Sequence, residues 1–280
     1  MTPLKDYLQK AEQFLRKKEI EKPRLEAQIL FSHVLNMPRI MLYTRDEQPL
    51  EPTEVDQLRE LLVRKGNGEP TAYITGEKEF FSRNFIVNNS VLIPRPETEE
   101  LVELIKSTKT EYEQALDLGC GSGCLGITLV LEKIAKHTCL ADLSPRALET
   151  TQRNAERLLD AEQYSISQSD LGGNLLDSDF DLVVTNPPYV TSTEYNELHE
   201  SVKNFEPRLA LEVADPEAFF CRLFKNSLLL LSAEGILYME SSPSLIAAQK
   251  KWALEMGFKS VNIVKDLSGK ERFLIANKNE

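Results

Sequence analysis

The stretch Phe180-Asp-Leu-Val-Val-Thr-Asn-Pro-Pro-Tyr189 holds the residues best suited to chemistry. Leu182, Val183 and Val184 form a short apolar run of the kind that fills a buried parallel strand. Asn186-Pro187-Pro188-Tyr189 then stops that strand, because two prolines remove backbone donors and turn the chain out of a sheet. An asparagine side chain and a proline carbonyl are thus presented together at a strand's carboxyl end, the edge where open α/β sheets bind ligands. Asn186 accepts a hydrogen bond through its side-chain oxygen and Pro187 through its backbone carbonyl. Two adjacent acceptors suit a planar NH2 group whose lone pair is delocalised into a carbonyl or ring. Holding both N–H bonds nearer to tetrahedral geometry localises that lone pair, with Tyr189 packing on the flat group that carries it. The catalysis is orientation plus transition-state stabilisation and needs no strong base. Taken alone, the tetrapeptide is equally a Pro-Pro turn that ends a strand. The elements that position it decide between the two readings.

Ala115-Leu-Asp-Leu-Gly-Cys-Gly-Ser-Gly-Cys-Leu-Gly126 is the first of those elements. A short strand ends at Asp117-Leu118, and Gly119, Gly121 and Gly123 permit a tight turn with close backbone approach. A helix beginning near Cys124 points its first N–H groups and its dipole toward the turn. The pattern is neither the dinucleotide fingerprint nor a phosphate-cradling loop ending in Gly-Lys-Ser/Thr. Its Asp-x-Gly-x-Gly-x-Gly order resembles S-adenosylmethionine binding in the Rossmann-like methyltransferase class.

Thr138-Cys-Leu-Ala-Asp142 reads as the next strand, with Asp142 at its end about 20 residues beyond the glycine turn. A carboxylate there suits bidentate hydrogen bonding to ribose hydroxyls, or else caps the following helix, for which Ser144 is the N-cap and Pro145 the first residue. Tyr164 to Gln168 reads as a third strand, followed by Asp170 and Leu171 at the border of an adenine. Phe180 to Thr185 is the fourth, Gly235 to Glu240 a fifth, and Val261–Val264 with Phe273–Ala276 a final pair. Helices are expected from Pro96 through Ile105, from about Pro216 to Leu231 and from Leu245 to Met256. A polar loop or short helix spans Thr191 to Glu200, over the cleft. This β/α alternation is that of a doubly wound sheet.

Residues 1 to about 75 read instead as helices alone: Leu4 to Leu15, a segment opening at Pro23, and Pro52 to Lys65. Aromatic and β-branched residues around Ser82-Arg-Asn84 suggest a hairpin that joins the two parts.

Composition narrows the function classes. The 280 residues are 41% hydrophobic and 28% charged, which is ordinary for a globular protein. No apolar run reaches a membrane span, and the first residues lack a signal peptide's apolar core, so the cytoplasm is the expected location. A net charge of −11 argues against sequence-independent nucleic-acid binding. Cys120, Cys124, Cys139 and Cys221 lack the spacing of a zinc site and read as small buried hydrophobes.

Across nearly its full length the chain resembles the bacterial peptide-chain release-factor glutamine N5-methyltransferases. The resemblance is carried by Gly68-Glu-Pro, Tyr73-Ile-Thr-Gly76, Leu92-Ile-Pro-Arg-Pro-Glu-Thr-Glu99, the glycine turn, Asn186-Pro-Pro-Tyr189, Glu206-Pro-Arg-Leu-Ala-Leu211 and Lys265-Asp-Leu-Ser-Gly269. The glycine turn and Asn-Pro-Pro-Tyr are shared with other amino-group methyltransferases. The Ile-Pro-Arg-Pro-Glu-Thr-Glu segment and the helical front domain point to the release-factor branch.

The resemblance implies an α/β fold: a Rossmann-like class I methyltransferase domain of seven strands, the last antiparallel, behind a small helical bundle. The expected limits are a helical substrate-recognition domain over 1–75, a β-hairpin linker over 76–95 and the methyltransferase domain over 96–280. It implies S-adenosyl-L-methionine as cofactor and, as substrate, the glutamine of Gly-Gly-Gln in class 1 release factors, with no direct nucleic-acid or membrane partner and a monomeric state. Gly119, Cys120, Gly121, Ser122, Gly123, Asp142, Asp170, Leu171 and Asn186 are then expected to bind the cofactor. Asn186, Pro187, Pro188 and Tyr189 are expected to hold the glutamine amide, with Asn186, Pro187 and Tyr189 catalytic and no metal. Two segments depart from the family pattern, Glu212-Val-Ala-Asp-Pro-Glu217 and Met239-Glu-Ser-Ser-Pro243. The rival readings are a methyltransferase for exocyclic amines of nucleic acid or for a ribosomal-protein glutamine, and a non-catalytic adaptor that keeps the cofactor pocket.

Overall fold

Five long helices open with proline at the first helical position, where the missing N–H costs nothing and the fixed φ is already helical. The computed structural model describes residues 2–176 and 178–279; the outer limits of the expected domains, Met1 and Glu280, lie outside the described residues. The chain divides into two compact units, one running to Glu77 and including His199–Phe205, the other formed by Lys78–Leu198 and the chain from Glu206 on.

The first unit contains α1 (Leu4–Lys17), α2 (Pro23–Val34), α3 (Met41–Thr44), α4 (Pro52–Gly66) and α5 (Thr71–Thr75). Leu4, Ala11 and Leu15 of α1 lie on one stripe and pack with Ala27, Phe31, Leu42, Val55 and Leu58 into the unit's own core. α4 starts with a capping box in which the Glu54 side chain accepts from the Glu51 N–H at 2.8 Å. The short α3 and α5 lack enough length for a periodic signal and went unread in the sequence.

The second unit begins with the hairpin β1 (Glu77–Phe80) and β2 (Arg83–Ile86), of which all but Glu77 belong to it. It continues through α6 (Pro96–Ser107), β3 (Tyr112–Leu118), α7 (Cys124–Leu131), β4 (Ala135–Asp142), α8 (Pro145–Leu158), β5 (Tyr164–Gln168) and β6 (Phe180–Thr185). Next come β7 (Val190–Thr191) and α9 (Ser192–Glu197), then α10 (Glu200–Phe205), which belongs to the first unit. The remainder is β8 (Glu212–Val213), α11 (Pro216–Leu230), β9 (Leu231–Glu240), α12 (Ile246–Met256), β10 (Ser260–Lys265) and β11 (Glu271–Asn277).

Seven strands form one sheet in the order β10-β11-β9-β6-β3-β4-β5, and β11 alone runs against the others. Side chains alternate between its faces. Ala115, Leu182 and Val184 enter a core with α6 and α7, while Leu116, Leu118 and Val183 enter a second core with α11 and α12. The hairpin is part of the first of these cores, through Phe80 and Phe85. Burying each such phenylalanine contributes about 1.5–3 kcal/mol, and the two rings meet edge-to-face at 6.0 Å. Asn154 of α8 adds a second tie, accepting from Ile86 N–H at 2.7 Å and donating to its carbonyl at 2.9 Å.

Candidate active site

The strand registers bring the functional segments together. Leu118 pairs with Ala141, Asp117 with Val184, and Thr185 with Met239. The residues that follow, Gly119, Asp142, Asn186 and Glu240, therefore lie at the ends of four neighbouring parallel strands. They border a cleft of about 350 Å³ or stand directly behind it. Reversal of strand order between β3's two neighbours places the cleft where doubly wound sheets bind ligands.

The glycine turn is pinned to β4 by Gly119 and Cys120, whose N–H groups both donate to the Ala141 carbonyl at 2.8 and 3.0 Å. Gly119, Gly121 and Gly123 all have φ between +56° and +77°, which other residues adopt only with strain. A side chain on Gly119 or Gly121 would meet nothing within 4 Å, so the bare backbone there is presented to open space. Ser122 is buried and its carbonyl accepts from Asn154 Nδ2 at 2.9 Å. The Cys120 thiol is also buried, and burial drives its pKa well above the usual thiol value, which makes it a packing group and no nucleophile. Cys124 and Cys139 are buried too, and Cys221 is half-buried.

Three carboxylates line the cleft. Asp142 borders the cleft, and its oxygens accept from Ser144 N–H at 2.8 Å and Gly121 N–H at 2.9 Å, while Ser144 itself caps α8 by accepting from Ala147 N–H at 3.2 Å. Burial raises the pKa of Asp142 against the pull of its donors. Asp117 accepts from Gly126 N–H at 2.8 Å, and burial pushes its carboxyl up to about 7. Asp170 is held by Arg222 in a two-pronged pair at 2.8 and 2.9 Å. Its neighbour Leu171, with φ +49°, fixes the turn by accepting at its carbonyl from Asn226 Nδ2 at 2.8 Å.

Asn186 and Pro188 line the cleft, and Pro187 between them is a buried residue. Tyr189 is not among the lining residues and packs instead against the core shared by α11 and α12. Burial beside Glu240 pushes its phenol up to about 12. Asn186 Nδ2 donates to Thr98 Oγ1 at 3.1 Å, and Thr98 donates to Glu240 at 2.7 Å. Arg95, Thr98, Leu209 and Phe219 also line the cleft and were not named as site residues from sequence, and Asp117, the acidic residue of the glycine-turn pattern, lines it as well. The family-like Pro-Arg-Pro-Glu-Thr-Glu segment was the signal that pointed to the first two.

Both departures from the family pattern are accommodated by local bonds. Glu212-Val213 pairs with Val190-Thr191, and Asp215 caps α11 by accepting from Ala218 N–H at 3.1 Å. Ser241 is buried and bonded to Gln249.

A bare glycine backbone, carboxylates for a cationic ligand and apolar walls at Leu125, Leu171 and Phe219 fit S-adenosylmethionine. Together with the sheet order, they define a Rossmann-like methyltransferase dependent on that cofactor. A solved methyltransferase from Pyrococcus furiosus shares the fold, with TM-score 0.54 and 17% identity over 80% of this chain and 99% of that one. Residues 96–211 match the Methyltransferase small domain, and residues 6–76 match the PrmC N-terminal domain. A release factor glutamine methyltransferase of Leptospira interrogans is 42% identical over 273 residues, 96% of either chain. One of Rhodopirellula baltica is 37% identical over 274 residues, covering 95% of this chain and 93% of that one. The chain belongs to the release factor glutamine methyltransferase family.

Among the described residues no helix is long and apolar enough to cross a membrane, and no cluster of His, Cys, Asp and Glu is placed to hold a metal ion.

Proposed function

We propose that this protein methylates the side-chain amide nitrogen, N5, of the glutamine in the Gly-Gly-Gln motif of class 1 peptide chain release factors, and so modulates translation termination. When bound, S-adenosyl-L-methionine supplies an electrophilic methyl group on a cationic sulfur. The backbone of Gly119–Gly123, the Asp142 carboxylate and the Asp170-Leu171 turn hold it. Asn186 Oδ1 and the Pro187 carbonyl accept the two hydrogens of the substrate amide and draw the nitrogen lone pair out of conjugation. The proton that the nitrogen gives up passes to the Pro187 carbonyl or to water, so no side-chain base is required. Two glycines before the target glutamine let a backbone without side chains enter the cleft. The helical unit serves recognition of the protein substrate, and the enzyme works as a monomer in the cytoplasm without contacting nucleic acid.

The observation that carries this reading is Asn186, held at the cleft with its NH2 group already committed to Thr98. The test is methyl transfer from labelled S-adenosylmethionine to a purified bacterial release factor and to its Gln→Ala variant at Gly-Gly-Gln. Label on the wild-type factor alone is the expected outcome. Label on neither, with cofactor binding intact, overturns the proposal in favour of another amine substrate.

A further inference from the structure

We infer that Thr98 and Glu240 are positioning residues that decide which end of the Asn186 amide faces the substrate. The inference rests on the glutamine reading above and deepens it. Thr185 pairs with Met239, so Asn186 and Glu240 follow at the ends of adjacent strands. Thr98, in the first turn of α6, stands between them. It is 3.1 Å from Asn186 Nδ2 and 2.7 Å from Glu240 Oε2, and both Thr98 and Glu240 are buried.

Counting protons leaves one polarity. An ionised Glu240 only accepts, and the Thr98 hydroxyl has a single hydrogen to give. That hydrogen goes to Glu240, so Thr98 must accept from Asn186, and only the NH2 end of Asn186 meets that demand. Asn186 Oδ1 is thereby left for a substrate hydrogen. A protonated Glu240 gains a donor beside its remaining acceptor; in the arrangement where it donates to Thr98, Thr98 donates to Asn186 Oδ1 and an NH2 group confronts the substrate NH2.

Glu240 is faced by Glu97 and Thr98 of α6, by Arg95 just before it, by Arg272 of β11, by Tyr189 and by Cys124 of α7. Burial pushes its carboxyl up to about 7, against the pull of Thr98 and Arg272. A purely structural pin between α6 and β9 would affect melting or cofactor affinity; an orienting relay affects turnover and its pH profile.

The experiment measures kcat and KM for a release factor, with cofactor Kd, across neutral pH for the wild type, T98V, T98S and E240Q. T98V and E240Q are expected to lose about 10- to 100-fold in kcat, the range for removing a group that orients a primary contact, with cofactor Kd unchanged. T98S, which keeps the hydroxyl, restores turnover. The wild-type kcat rises as pH passes about 7, and this limb is missing from E240Q. If T98V loses cofactor binding, E240Q, which keeps side-chain volume, decides alone. A wild-type kcat in T98V that still binds cofactor, or an unaltered pH limb in E240Q, overturns the inference while leaving the glutamine reading intact. Absence of transfer by the wild type overturns that reading and the inference with it.

Discussion

Arg95 grips both carboxylate oxygens of Glu206, at 2.7 and 2.8 Å, across 111 positions of sequence. Glu206 is buried and also accepts from Ile93 N–H at 3.2 Å. The pair therefore clasps the proline-rich segment before α6 to the Glu206-Pro-Arg-Leu-Ala-Leu211 segment, both of which border the cleft. Removing one partner leaves the other's charge uncompensated. Arg95→Ala should destabilise the protein by about 3 kcal/mol, the lower end for one-sided loss of a buried pair, because Arg95 retains some exposure. Urea denaturation measures this, and a midpoint equal to wild type would show that the clasp carries no weight.

Asn186→Ala should lower kcat by about 100-fold or more, as does loss of one preorganised oxyanion donor. Cofactor affinity should barely change, since the glycine turn and Asp142 are untouched. Single-turnover methyl transfer separates the two quantities. An unchanged rate would remove Asn186 from the mechanism.

Asp117 should make cofactor binding pH-dependent. Its carboxyl lies at about 7 in the fold against an ordinary 3.8, so the free protein holds a proton there that the unfolded chain releases. This group's contribution to stability is complete below about pH 3.8 and is lost as pH rises through about 7. A cationic ligand favours the ionised form. Affinity for S-adenosylmethionine, and the rise in Tm that it produces, should increase as pH passes about 7. Calorimetric titration should find this dependence in the wild type and a flat profile in Asp117→Asn; a dependence retained by the variant would assign it elsewhere.

Much of this arrangement could be read before the structure was known. First-turn prolines marked the long helices, because a proline's fixed φ and missing donor are local properties. The glycine turn and Asn186 were legible for the same reason: their backbone demands are met within a few residues. Thr98 and Glu240 were not, since 142 positions separate them and only the packing of α6 against β9 makes them neighbours. The inward packing of Tyr189 likewise depends on α11 and α12, far along the chain. Asp142 reads from sequence as either a ribose ligand or a cap; Ser144 caps α8, and Asp142 braces Ser144 and Gly121 at the edge of the cleft.

Gly126 of α7 packs directly against β3 and β4. An added Cβ would stand 2.6 Å from Leu140 Cδ2 and 2.8 Å from both Asp117 Cβ and Thr138 Oγ1. Gly126→Ala should cost about 1–3 kcal/mol, as overpacking does, and should weaken cofactor binding by displacing Asp117. Thermal melting with and without cofactor reads both effects; equal ligand-induced shifts in the two proteins would uncouple Gly126 from the cleft.

Leu209 lines the cleft yet is 58% exposed. Leu209→Asp should raise KM for a release factor while leaving cofactor Kd and the fold unaffected, because its side chain supports little else. Steady-state kinetics with varied release factor tests this, and an unaltered KM would exclude the residue from docking.

Asn154 has a consequence for how the molecule can be taken apart. This one amide joins Ile86 of the hairpin to the Ser122 carbonyl of the glycine turn. A fragment cut at Pro96, where the small-domain match begins, would retain every glycine of the turn. It would nevertheless strip Asn154 of its Ile86 partners and remove Phe80 and Phe85 from the core. A fragment that keeps this brace therefore starts near Lys78, and a swap or fusion at that joint transplants the cofactor turn together with it.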